Sequence, residues 1–249
     1  RITQKSITTE KPIMYDGALS RYVKNEMHTM MSVDMNIIVN NEGLELYRRK
    51  IPDFDEKVRY ELLSNGVDIS SYEKKYDCPE LLKKPNTILY VGAWEVEWNL
   101  LFHAAAVLPD CNFVVVLPNY PSMEIQKKAA ETENLFYVPG IPPEEVPAWI
   151  TNCAVVMVPY VTGFYENRPL GITAKYYQAM AAKKPIVAYS DTPKLSEVGV
   201  CVTYSYDDFI SEVKKAVGKK ECSYEFNLAD RKWESITARF LEILGENHD

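Results

Sequence analysis

Histidine is scarce in this 249-residue sequence: three in all, His28, His103 and His248. So few imidazoles argue against a His-based metal centre. The five cysteines, Cys78, Cys111, Cys153, Cys201 and Cys222, show no C-x-x-C spacing. That argues against a zinc site or a disulfide framework, and Cys153 and Cys201, beside apolar strand-like runs, read as buried reduced thiols of a cytosolic protein. No run approaches the roughly 20 apolar residues that span a bilayer, and no signal-peptide pattern is visible. Positive charge is also in deficit. A net charge of −7 argues against a nucleic-acid surface, which needs a basic stripe. The local pairs Lys183-Lys184 and Lys219-Lys220 read as solvated surface. Internal repeats and low-complexity segments are absent. The sequence starts at Arg1 without a methionine, and its first ten residues, "RITQKSITTE", carry no strong pattern, so it reads as a piece of a longer protein.

What is present is ordinary for a globular protein: 47% hydrophobic and 25% charged residues, in a chain long enough for one large domain or two small ones. Short apolar runs at Pro12–Tyr15, Asn36–Asn40, Val58–Leu62, Thr87–Gly92, Asn112–Leu117, Leu135–Pro139, Ala154–Tyr160, Pro185–Ser190 and Cys201–Ser205 are rich in Val, Ile and Tyr. Most lack polar alternation, the pattern of strands covered on both faces. Helical patterns fall between them, near 18–32, 41–49, 96–107, 122–131, 143–151, 173–182, 206–217 and 229–244. This β-α-β-α rhythm predicts an α/β fold, a Rossmann-like parallel sheet flanked by helices. In the helix after residue 95, Trp98, Leu101, Phe102, Ala105 and Leu108 form one stripe, and His103 beside it reads as structural. The closing helix places Trp233, Ile236, Phe240 and Leu244 on one face, which is expected to dock against an apolar surface.

A boundary is expected in the segment 62–86, where Asn65-Gly66 is a turn signal and a polar stretch with Pro79 and Pro85 follows. Three strands precede it, too few for a doubly wound domain, and six follow it, enough for a complete one. Residues 1–65 therefore read as the remnant of one Rossmann domain, 66–228 as a complete Rossmann-like domain, and 229–249 as a terminal helix crossing back toward the first.

In such a sheet ligands gather beyond the carboxyl ends of the strands, where helix N-termini carry free N–H groups and about half a positive charge. The stretch "PLGITAKYYQAMAAKKPIVAYSD" occupies that position. Lys175 falls in the first turn of its helix, where a lysine opposes the helix dipole, and Gln178 follows on the same face. A residue that breaks a local rule at a ligand edge is a functional candidate. On spacing alone the pair is either a solvated face or a ligand contact, the lysine toward a diphosphate and the amide toward a ribose diol.

The segments "VRYELLSNGVDISSYE", "TILYVGAW", "NLFYVPGIPPEEVPAWITNCAVVMVPY" and "TAKYYQAMAAKKPIVA", in this order, resemble the second half of a GT-B glycosyltransferase of the "group 1" type. In that family an Asn-Gly-Val-Asp segment leads into the nucleotide-sugar domain, whose first strand ends in Tyr-Val-Gly. A later Pro-x-Lys-x-x-Glu-x-x-Ala-x-Gly-Lys-Pro-Val-Val segment contacts the donor. The resemblance spans roughly residues 12–245 and rests on order and spacing.

This sequence departs from the family in two places. The family carries two glutamates eight positions apart, the second on the donor ribose; here those positions are Leu170 and Gln178. The family also often places Arg and Lys after the Tyr-Val-Gly strand, where this chain has Glu95 and Glu97. Branches acting on surface polysaccharides do use a Lys-x-x-Gln or Lys-x-x-Glu form. The resemblance therefore implies donor contacts from Lys175 and Gln178, with Arg168 as a second cation for the phosphates and Thr173 at the helix start. Gly92 would let backbone approach the diphosphate, or is an ordinary strand-end glycine. Val138 and Gly140, in the segment to Ile141, would face the nucleobase, or form an ordinary turn. Tyr160 and Glu166 would line the loop toward the sugar, Glu166 reading equally as a solvated carboxylate. Asp16 lies on the remnant domain and is not assigned as a base; no catalytic residue is assigned.

The implied activity is transfer of a sugar from a nucleoside diphosphate donor, UDP being the expected nucleotide, to a glycan or lipid-linked acceptor in surface polysaccharide or glycoconjugate synthesis. The resemblance implies no cofactor and no metal, no nucleic-acid partner, and a cytoplasmic location, with membrane association through the missing N-terminal lobe. This piece alone is expected to bind donor without turnover. The alternatives are a noncatalytic sugar-nucleotide-binding domain and a GT-B-like nucleotide-sugar epimerase.

Overall fold

Two parallel sheets organise the protein in a computed structural model that describes residues 25–163 and 170–245. The expected strand Pro12–Tyr15, Asp16, Glu166 and Arg168 lie outside the described residues. The smaller sheet pairs β1 (Asn36–Ile38) with β2 (Tyr60–Leu62), in the register Asn36↔Tyr60 to Ile38↔Leu62. Around it lie α1 (25–32), α2 (Asn41–Lys50) and the short α3 (Phe54–Lys57). These elements share their own core of Met30, Ile38, Leu44, Leu46, Tyr47, Ile51, Phe54 and Val58. Within it the Tyr47 hydroxyl donates to buried Glu26 at 3.1 Å.

The larger sheet has six parallel strands in the order β5-β4-β3-β6-β7-β8. They are β3 (Thr87–Val91), β4 (Asn112–Val116), β5 (Leu135–Val138), β6 (Val155–Pro159), β7 (Ile186–Tyr189) and β8 (Cys201–Thr203). Ile88, Leu89 and Tyr90 of β3 and Phe113, Val114 and Val115 of β4 are wholly buried. That is what an apolar run without alternation requires when helices cover both faces. The covering helices are α5 (Trp98–Val107), α6 (Met123–Ala130), α7 (Val146–Asn152), α8 (Ala174–Ala181) and α9 (Tyr206–Val217). Each reads from its sequence. In α9, Ser205 caps the N-terminus by accepting from Asp208 N at 3.1 Å, acids fill the first turn and lysines the last, and Phe209, Ile210, Val213 and Ala216 face the core. On α5 the stripe holds for Trp98, Leu101 and Ala105, while Phe102 is only half-buried. His103, half-exposed, lies 3.9 Å from Asp207 and against the Tyr206 ring.

The polar segment 62–86 is ordered by its few apolar residues. Val67, Tyr72 in α4 (Ile69–Glu73) and Leu82 are all buried in the larger core. The closing helix, α10 (Trp233–Gly245), corrects the sequence reading. Its inward residues are Ile236 and Ile243, one heptad apart, at 9% and 1% exposure, whereas Trp233 stays 52% and Phe240 40% exposed. The apolar arc of this helix is broad, about 160° at 100° per residue, which leaves the exact rotation to its neighbours, and two contacts set it here. The indole of Trp233 lies over Gly66, where a Cβ would stand 2.6 Å from the ring, and Arg239 pairs with Glu61 of β2 at 3.3 Å.

Candidate functional site

The strand order reverses between β3 and β6: β4 and β5 extend one way, β7 and β8 the other. A crevice opens at the carboxyl ends of strands on either side of such a reversal, and there ligands bind in open α/β sheets. The residues at that point are Tyr90 and Gly92 from β3 and its end, Tyr160 just past β6, and Lys175 from the first turn of α8.

Lys175 reaches across the crevice. Its ammonium donates to the Tyr160 hydroxyl and, more weakly, to the Tyr90 hydroxyl at 3.4 Å. It lies 4.7 Å from the Tyr160 ring centroid and 5.0 Å from that of Tyr90, within cation–π range. The two rings meet edge to face at 6.4 Å, and Trp94 packs edge-on to Tyr160 at the same distance. Tyr90 in turn fixes the loop that bears Trp94, its hydroxyl bonding the Trp94 backbone N–H and carbonyl, each at 3.3 Å. Gly92 makes room for this arrangement. A Cβ there would stand 2.7 Å from both Lys175 Nζ and the Tyr90 hydroxyl, so the space a side chain would take is filled by the lysine head.

The electrostatics follow from this enclosure. Lys175 as a whole is partly exposed, but its ammonium is sunk among aromatic rings, and among the described residues no carboxylate lies within ion-pair distance. Burial therefore pulls the Lys175 pKa down to about 7. Burial pushes the Tyr90, Tyr160 and Tyr176 hydroxyls well above the ordinary phenol value, so they stay neutral. Thr173 stands at the N-cap of α8 without capping it. Its Oγ1 and the Tyr176 hydroxyl are buried and close no well-formed hydrogen bond. Among the described residues no side chain accepts from the first N–H groups of α8 and no carboxylate pairs with the lysine beside them, an arrangement suited to an anion.

The other sequence candidates fall around this centre. Gln178 is half-buried, one turn beyond Lys175, with no side-chain hydrogen bond among the described residues. Val138 ends β5, and its carbonyl accepts from Leu117 N at 3.0 Å and Gly140 N at 2.8 Å. Gly140 has φ +97°, a left-handed turn that favours glycine, and lies against Pro118. Tyr160, read as a residue lining the loop toward a sugar, is 3% exposed and faces the lysine. The sequence reading missed Tyr90 and Trp94. Tyr90 was visible as a hydroxyl-bearing residue near the carboxyl end of the apolar run "TILYV", two positions before Gly92. Among the described residues no three His, Cys, Asp or Glu side chains gather as a metal site requires, and no helix is long and apolar enough to cross a membrane.

Residues 85–218, which hold the six-stranded sheet, the lysine and its tyrosines, match the family described as Glycosyl transferases group 1. The chain belongs to that family. No curated protein matches it by sequence. Among solved structures it is similar to sucrose-phosphate synthase from Thermosynechococcus elongatus, with TM-score 0.69 and 17% identity over 91% of this chain and 61% of that one. It is also similar to Anabaena HepE in complex with UDP-glucose, with TM-score 0.71 and 14% identity over 96% of this chain and 70% of that one. WaaG, a glycosyltransferase involved in lipopolysaccharide biosynthesis, gives TM-score 0.64 and 12% identity over 86% and 63%. At these identities the likeness is one of fold, the C-terminal half of a GT-B glycosyltransferase, and the chain spans 61% of the synthase's length.

Proposed function

We propose that this group 1 glycosyltransferase binds a UDP-sugar at the β3–β6 reversal and transfers the sugar to a glycan or lipid-linked acceptor in surface polysaccharide or glycoconjugate synthesis. The observation that carries the reading is the ammonium of Lys175, desolvated by Tyr90 and Tyr160 with no carboxylate beside it among the described residues. A diphosphate is the counter-ion that such a group lacks. Lys175 and the N-terminal amides of α8 would hold the leaving diphosphate as preorganised electrostatics, without a metal. Gln178 would take the ribose, Val138 and Gly140 the nucleobase, and Arg168, Glu166 and Thr173 the rest of the donor. Support for the nucleotide comes from the likeness to HepE, which binds UDP-glucose, and for the pathway from WaaG.

The proposal divides the chain into 1–65 on the acceptor side, 66–228 as the donor domain, and the helix 229–249 returning to the first. This piece would bind donor but not turn it over, and the whole protein would work in the cytoplasm at the inner face of the membrane. Calorimetry with UDP tests the donor site on the chain as it stands. Weak binding is expected, reduced about tenfold by Lys175→Ala, the worth of one charge-assisted contact. No heat of binding to a folded chain would overturn the reading.

A further inference from the structure

The loop before α8 holds the unexplained departure: Leu170 stands where the family has a carboxylate. Its side chain packs on the larger core and its carbonyl accepts the Thr192 hydroxyl at 2.9 Å, so residue 170 presents no charge. The next residue touches a carboxylate from the other sheet's side of the molecule. A Cβ on Gly171 would stand 2.6 Å from Glu42 Oε2 and 3.0 Å from Asn40 Nδ2. Glu42 lies in the first turn of α2, which Asn40 caps by accepting from Gly43 N at 2.7 Å.

The Glu42 side chain is only 8% exposed. A carboxylate so enclosed needs pairing and hydrogen bonds, and Glu42 has little of either. Lys194 Nζ is 3.6 Å from Oε1, close enough for attraction and too far for a good hydrogen bond, and it is itself 47% exposed. Among the described residues no donor hydrogen-bonds to this carboxylate. Gly171 is four residues from Lys175, at most about 14 Å of chain. The loop that Glu42 touches therefore runs directly into the helix that carries Lys175.

We propose that Glu42 is the sugar-binding residue of the donor site, its carboxylate accepting hydrogen bonds from vicinal hydroxyls of the transferred hexose in the place that Leu170 leaves uncharged. The inference rests on the donor-site reading above. It makes the smaller sheet's side of the molecule the part that distinguishes one donor sugar from another, and it favours hexoses with adjacent free hydroxyls.

Calorimetry of the whole chain with UDP, UDP-glucose and UDP-galactose separates the two levels. Glu42→Gln should weaken the better-bound UDP-hexose about tenfold and leave UDP within about twofold, because the lost contact is charge-assisted and lies on the sugar. Gly171→Ala, which displaces the carboxylate without removing it, should show the same selective loss, and thermal melting checks that each variant folds. Lys194→Ala removes the ion pair but keeps the acceptor, so it should keep most of the UDP-hexose affinity. Equal UDP-hexose binding by wild type and Glu42→Gln overturns the proposal. So does full reproduction of the loss by Lys194→Ala, which would make Glu42 an ion-pair anchor, and so does a wild type that binds UDP but neither hexose. Failure of wild type to bind UDP removes the donor site itself.

Discussion

Donor affinity should fall as pH rises through the range where Lys175 loses its proton. The fall of its pKa from 10.5 to about 7 corresponds to roughly 4–5 kcal/mol of desolvation opposing the ammonium. A diphosphate needs that ammonium, so binding above pH 7 must take up a proton. Above about pH 7 the dissociation constant should rise with pH and level off once it has grown by about tenfold, the worth of the charge-assisted contact, and it should be flat well below about 7 where the lysine is already charged. UDP is a clean probe here, because its terminal phosphate, with a second pKa of about 6, is fully ionised in this window. The tyrosines around the lysine titrate well above it. Lys175→Arg keeps its charge throughout and should bind with little pH dependence, and Lys175→Met should bind weakly at every pH. Isothermal titration in two buffers of different ionisation enthalpy reads the proton uptake directly. The free protein should respond with the opposite sign. The unfolded chain holds the lysine proton up to about 10.5 while the folded chain loses it near 7, so the stability of the free protein rises with pH between these values. Lys175→Met should therefore stabilise the free protein at neutral pH by roughly 3–5 kcal/mol. A wild-type affinity that does not change with pH, matched by Lys175→Arg, would refute the desolvated-lysine argument.

Gly92→Ala places a methyl 2.7 Å from Lys175 Nζ and the Tyr90 hydroxyl, and the flexible lysine end can yield. The fold should survive while UDP binds about tenfold more weakly, and the midpoint of the pH dependence should move up as the displaced ammonium regains water; unchanged binding would take Gly92 out of the site. Phe209→Ala empties a wholly buried position between α9 and the sheet. It should cost about 3–5 kcal/mol in urea unfolding, and a cost below about 1 kcal/mol would contradict the packing of that helix.

The described strands were legible because runs such as "TILYV" and "NFVVV" are short, rich in β-branched and aromatic residues and without polar alternation, as strands buried on both faces of a parallel sheet are. The helices were legible from their apolar periodicity, whereas Ser205, read as the end of a strand, proved to be the cap of α9. The rotation of α10 was not legible. Trp233, Ile236, Phe240, Leu241, Ile243 and Leu244 fall within an arc of about 160° at 100° per residue, so periodicity gives the apolar side but not which edge of it is buried, and the contacts at Gly66 and Glu61 select the edge that holds Ile236 and Ile243. At the site, Lys175 stood out because a lysine in the first turn of a helix breaks a local rule. Its surroundings did not stand out. Tyr90 and Lys175 are 85 residues apart and meet only because β3 and β6 lie side by side at the reversal of strand order. Glu42 is farther still from the loop it touches, in an element whose sequence reads as an ordinary capped helix.

The two acids after β3 bear on how Lys175 comes to be enclosed. Glu97 is accounted for by the fold: its side chain accepts from Asn99 N at 3.2 Å at the start of α5, and its own N–H donates to the Pro159 carbonyl at 2.8 Å. The loop thereby folds back onto the end of β6, where Val161 N donates to the Glu95 carbonyl at 3.4 Å and Val96 bridges Tyr160. The backbone of this loop holds the wall that buries Tyr160, and Tyr160, with Tyr90, is what desolvates Lys175. Several solvated cations would each be weakened by water and salt. On the proposed donor reading, an ammonium sunk among aromatic rings with no carboxylate beside it among the described residues would act in a lower dielectric, where the same charge attracts a diphosphate more strongly and needs no reorganisation when the leaving group develops its charge. Loss of the family's cations and enclosure of the remaining lysine are, on this reasoning, two sides of one design.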